Sequence, residues 1–140
     1  MISDVRDEVF PATEGLSAPL SEYSNVVLVS APQQLAFISG QVALDADGNL
    51  SADRSIEGQT RQVFANIERC LEAAGMGWNH VLKWTTYLTD AADVPGFYRA
   101  RREFFAEVYP SGKYPGNSLL LVSGLVRPEF LVEIDAVAAR

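Results

Sequence analysis

The side chains here whose type and placement suggest chemistry are a glutamate, a cysteine, a histidine and a knot of arginines. Glu133 lies in LVEIDAVA, a strand-like run. A carboxylate held near a cleft can orient or deprotonate water, whereas on an exposed sheet face it is a solvated charge. Cys70, in IERCLEAAG, falls on an apolar helical stripe and reads as core rather than nucleophile. His80 is the only histidine, in WNHVLK, between a helix stop and a strand, and reads as structural or solvated. With no second nitrogen or sulfur ligand to join it, no metal site is expected. Arg99, Arg101 and Arg102 form the one dense basic cluster. It is too small to bind nucleic acid and reads as a solvated helix face.

Several chemistries are not supported. The chain carries no G-x-x-x-x-G-K-[ST] loop, no G-x-G-x-x-G and no G-x-S-x-G, so neither a nucleotide cradle nor a nucleophile elbow is expected, and no cofactor. Eleven Lys and Arg against eighteen Asp and Glu leave a net charge of −7, which sets the overall field against a nucleic-acid partner. One cysteine excludes an intramolecular disulfide and fits a reducing compartment. No apolar run is long enough to span a membrane. The opening MISDVRDEVF lacks a basic stretch followed by an apolar one, so no secretion signal is expected and the cytoplasm is the default.

The elements that must position these groups follow from pattern. The chain has 140 residues, 48% hydrophobic and 21% charged, which suits one domain with a real core. Residues 1–22 show no clear period and read as an irregular leader, with Val9, Phe10, Leu16 and Leu20 as its few apolar anchors; residues 23–140 read as a single domain. YSNVVLVS and LAFISGQVAL are β-rich runs, and DADG supplies a turn, so a hairpin is expected there. From Ser55 to Ala74 apolar residues recur at three and four, predicting a helix capped by Ser55 and stopped at Gly75. VLKWTTYLT predicts a strand over 81–89. A second helix follows, with Asp93 as cap, Pro95 in its first turn and an end before Pro110. Strands over 118–125 and 131–138 close the chain, the last with one acidic and one apolar face. The order predicts an α+β fold, a mixed β-sheet packed on one face by two α-helices.

Taken in order, EYSNVVLV, FISGQVALDADGNL, SIEGQTRQVFANIERCLEAAG, VLKWTTYLTD, FYRARREFF and RPEFLVEIDAVA resemble the Rid family, also called the YjgF family, over roughly residues 20–138. The linked pattern S-G-Q, Q-T-R-Q-V-x-x-N-I, L-T-D and V-E-I-x-A is specific in combination. The resemblance implies a chorismate-mutase-like fold assembled as a homotrimer, its sheets forming a central barrel with the helices outside and clefts between subunits. It also implies a small-molecule metabolite as partner. The best-known members hydrolyse reactive enamines and imines, such as 2-iminopropanoate, to the keto acid and ammonia without a cofactor. In them an arginine in a P-x-R-S-type turn clamps the substrate carboxylate, and a glutamate in the last strand helps to place water.

In this chain the turn reads YPGNS, so Asn117 stands where that arginine would be. Glu133 takes the glutamate position, Tyr23 matches the tyrosine of the P-Y-S segment, and Ser39 with Gly40 matches the S-G-Q wall. Tyr98 stands on the second helix where active relatives commonly place Asn, and Leu119 is expected to line the cleft. Asparagine offers a neutral amide where arginine offers a charged planar fork, and the apolar Leu119 and aromatic Tyr98 favour a less charged, bulkier ligand. Arg127, Arg99 and Arg101 are the arginines that could substitute. The leading expectation is a hydrolase acting on an imine, enamine or related carbonyl compound; the alternative is a non-catalytic ligand-binding or interaction trimer.

Overall fold

Ser55 caps the first helix by accepting from Gly58 N, and Gly75 ends it at a positive φ of 67°. In the computed structural model, which describes residues 10–140, this is α1, Ile56–Ala73, lying between β1, Leu35–Gln41, and β2, Val81–Leu88. Then come α2, Val94–Val108; β3, Gly116–Leu121; and β4, Val132–Ala139. The four strands form one mixed sheet in the order β1-β4-β2-β3, with β4 antiparallel to both neighbours and β3 parallel to β2.

Strand alternation decides what each face carries. Trp84, Thr86 and Leu88 of β2 and Val132, Ile134 and Ala136 of β4 are buried. The rings of Phe64, Trp78, Phe104 and Phe105 close over Trp84 and each other from the helix side. The opposite face carries Tyr87, Glu133, Asp135 and Val137, with no helix over it among the described residues, and leaves Phe37 at 76% and Leu35 at 51% exposure.

Some expectations require correction. Residues 23–30 form no strand, and the hairpin with β1 is absent. Instead Ser24 donates from its backbone to Pro115 O and from its hydroxyl to Tyr114 O, so this run docks on the loop before β3. The DADG turn forms as expected, with Asp45 Oδ1 accepting from Asp47 N and Asn49 N and Gly48 at φ 80°. The strand expected over 118–125 starts at Gly116 and stops at Leu121, and β2 separates it from β4. Asp93 precedes α2 without a side-chain cap; Asp90 caps the 3-10 turn Ala91–Asp93. The basic cluster is not one solvated face. Arg99 and Arg102 are exposed, but Arg101 is only 2% exposed.

Cys70 packs half-buried against the core, and His80 Nδ1 accepts from Gly77 N within its 3-10 turn. In the leader, Leu16 and Leu20 are exposed at 62% and 90%; Val9 lies outside the described residues. Among those residues no helix is long and apolar enough to cross a membrane.

Candidate functional site

Glu133 is half-buried in β4, opposite Tyr87 of β2. A β-bulge between Ile38 and Gln41 brings Gly40 against it. A Cβ built on Gly40 would lie 2.5 Å from Glu133 Oε1 and 2.8 Å from its carboxyl carbon, so the carboxylate fills the space of the missing side chain. Beside it the Tyr87 hydroxyl donates to Asp135 Oδ2 at 2.9 Å. That bond, with burial and the Asp135 and Glu133 charges, holds the Tyr87 phenol above its ordinary range. Ser39 is exposed, and its carbonyl accepts from Gln41 Nε2.

Asn117 belongs to the other face. It pairs with Trp84 across the parallel β2–β3 ladder, and its Oδ1 accepts from the buried Thr86 hydroxyl at 3.0 Å. Because Oδ1 takes the Thr86 proton, the amide NH2 is the end left to a ligand. Strand alternation therefore puts Asn117 and Glu133 of one chain on opposite sides of the sheet.

Asn117 and Tyr23 do come together. Both line a cavity of 330 Å³ with Ser24, Asn25, Val27, Leu82, Lys83, Gly116 and Ser118. Tyr23 is held by its hydroxyl accepting from Leu20 N. Leu119 and Tyr98 are not among the lining residues; both pack half-buried against the core. The Tyr98 ring lies 4.9 Å under the Arg101 guanidinium.

The candidate substitute arginines are otherwise engaged. Arg101 is buried against Phe97, Tyr98 and Phe105, donates to Ser21 Oγ and pairs with Glu22 at 3.5 Å. Burial works to lower its pKa. Arg99 pairs with Glu57 at 2.7 Å. Arg127 rests over Phe130 beside Glu129, at 4.0 Å.

Two positioning residues are not evident from local pattern. Buried Gln59 donates to Arg54 O and Glu129 O and accepts from Leu131 N, fixing the chain just before β4. Asn66 donates to Val42 O and Leu44 O, fixing the chain just after β1. The signal for both is a polar residue on or next to the apolar stripe of α1. Lys83 carries a similar signal, a lone cation among the β-branched and aromatic residues of VLKWTTYLT.

The family model described as Endoribonuclease L-PSP matches residues 15–140. A RutC family protein of Pyrococcus horikoshii is 35% identical, over 90% of this chain and 93% of its own. The chloroplastic Reactive Intermediate Deaminase A of Arabidopsis thaliana is 31% identical, over 97% of this chain and 67% of its own. Among solved structures, a Rid family protein of Yersinia pestis superposes with a TM-score of 0.74 at 30% identity, covering 85% of this chain and 87% of that one. TdcF of E. coli, solved with bound serine, superposes at 0.68 and 28% identity, covering 77% and 82%.

Proposed function

The chain belongs to the Rid family, and from that premise we propose that it is a cofactor-independent, deaminase-like hydrolase of a small imine, enamine or related carbonyl metabolite. Glu133 positions or activates water, and Asn117 hydrogen-bonds a substrate oxygen with Tyr23 beside it. Ser39 and Gly40 form the wall at the carboxylate. The observation that carries this reading is the seating of Glu133, a half-buried carboxylate held in the gap left by Gly40.

The protein acts as a homotrimer. The bare sheet face, with Phe37 and Leu35 outward, is the apolar surface that neighbours cover. Since Asn117 and Glu133 of one chain lie on opposite faces, a cleft using both draws them from two subunits. Tyr98 and Leu119 then act from behind the cleft wall as packing residues. RNA cleavage is set aside because the net charge is −7 and Arg99, Arg101 and Arg102 are paired with Glu57 and Glu22.

The test is ammonia and keto-acid release from freshly generated 2-iminopropanoate by the parent chain, Glu133→Gln and Asn117→Arg. Glu133→Gln abolishes turnover; an unchanged rate overturns the assigned role. Activity gained only in Asn117→Arg shows that the hydrolytic apparatus is kept while the family's clamp is lost. The presence of Asn117 at the clamp position also favours a second reading, a non-catalytic binding trimer. A metabolite that raises the melting temperature without being consumed supports it.

A further inference from the structure

Tyr23 reaches its cavity from a segment that is neither helix nor strand. Its own hydrogen bonds stay inside that segment: its amide donates to Ser21 O at 3.0 Å, and its hydroxyl accepts from Leu20 N at 3.2 Å. Its ring is neither in the hydrophobic core of the described residues nor packed against it. Whatever fixes Tyr23 therefore acts through its neighbours.

Two ties flank it. On one side Ser24 is bonded to the loop before β3, by its amide to Pro115 O and by its hydroxyl to Tyr114 O. On the other, Arg101 of α2 donates from Nη2 to Ser21 Oγ at 2.8 Å and stands 3.5 Å from Glu22 Oε2. Arg102 reaches Glu22 Oε1 at 2.9 Å, but it is exposed, where water and salt screen an ion pair. Arg101 is 2% exposed, its guanidinium 4.9 Å from the ring centre of Tyr98 and 5.4 Å from those of Phe97 and Phe105.

That nest is a costly place for a charge. Arg101 Nε and Glu22 Oε2 are buried with no hydrogen-bond partner among the described residues, and an apolar side chain of similar length would fill the same space without desolvating a cation. A buried ion pair of this kind adds little net stability, but it does fix which groups meet. We infer that Arg101 is a positioning residue for Tyr23. Its guanidinium sets the register of residues 21–22 on α2, and with Ser24 held on the far side the ring between them is placed at the cavity it shares with Asn117. The inference rests on the proposed function for the use made of Tyr23, whereas its test reads only where Tyr23 sits.

The experiment is fluorine NMR of the full chain labelled with meta-fluorotyrosine, Tyr23→Phe assigning the Tyr23 signal by its loss. In Arg101→Met that signal narrows and moves to the position of free fluorotyrosine, while melting stays cooperative and within a few degrees of the parent. Glu22→Ala, which leaves the nest filled, displaces the signal too. Arg102→Met leaves it in place. A Tyr23 signal that stays put in Arg101→Met or Glu22→Ala overturns the inference, as does one displaced equally in Arg102→Met. A parent that holds Tyr23 through Arg101 yet hydrolyses no imine counts against the proposed function alone.

Discussion

Gly40 and Glu133 share one space: the carboxylate of the glutamate sits where the side chain of any other residue at 40 would begin, 2.5 Å from the ideal Cβ. The obstructed atoms are the far end of a flexible side chain, and Gly40 has no positive φ. Gly40→Ala therefore displaces the carboxylate without straining the fold. The expected outcome is a fall in turnover of roughly tenfold to a hundredfold, a shift of about an ångström being enough. The melting temperature stays within a few degrees, since alanine also restricts the unfolded chain. Kinetics and a melting curve on one preparation check both halves.

Glu22 gives the fold an acid-sensitive tie. Burial works to raise its carboxyl, but the Arg102 hydrogen bond, its own backbone amide and the charges of Arg102 and Arg101 outweigh that and hold it below 4.5. A depressed folded pKa adds stability that is present above the unfolded pKa and lost as pH falls through the folded one. Glu22→Gln is accordingly less stable than the parent at pH 7, by about 1–3 kcal/mol, because buried Arg101 loses its counter-charge. The gap between the two narrows below about pH 4.5. Urea unfolding across pH 3 to 7 measures it.

Gln59 holds the entry to β4 through three hydrogen bonds, to Arg54 O, Glu129 O and Leu131 N. Gln59→Leu keeps much of the volume but leaves these backbone groups unpartnered, at a cost of roughly 2–4 kcal/mol. Amide exchange at Leu131 N quickens more than exchange in α2. Uniform quickening in both places argues against a local role.

Thr86 decides which end of the Asn117 amide faces the cavity. Thr86→Val removes that decision with little change of shape and costs about 1 kcal/mol of stability. The expected outcome is a fall of a few degrees in melting temperature, which a melting curve of Thr86→Val beside the parent reads directly.

Local pattern made much of this legible. The caps and stripe of α1, the breaker before β3 and the alternation of β4 each depend on residues within a few positions. The run 23–30 has strand composition but docks on the 114–115 loop through Ser24 instead, because pairing depends on which edge is within reach. Insertion of β2 between β3 and β4 is likewise a long-range choice that no local pattern encodes. At the candidate site, Glu133 and Asn117 stand out through the family resemblance, whereas their separation by the sheet follows from register, which no local pattern carries. Arg101 looked solvated because arginines one and two residues away are; its burial comes from Glu22 and Ser21, about 80 positions distant.

The placement of Asn117 and Glu133 on opposite sides of one sheet has a kinetic consequence. A reaction that needs both groups at one substrate is not a property of a single chain, so its rate per chain follows the fraction assembled. Specific activity then falls on dilution once the chains begin to separate, while each still carries every residue it needs. Equal amounts of Asn117 and Glu133 variants, inactive apart, would regain part of the rate when mixed and allowed to exchange partners.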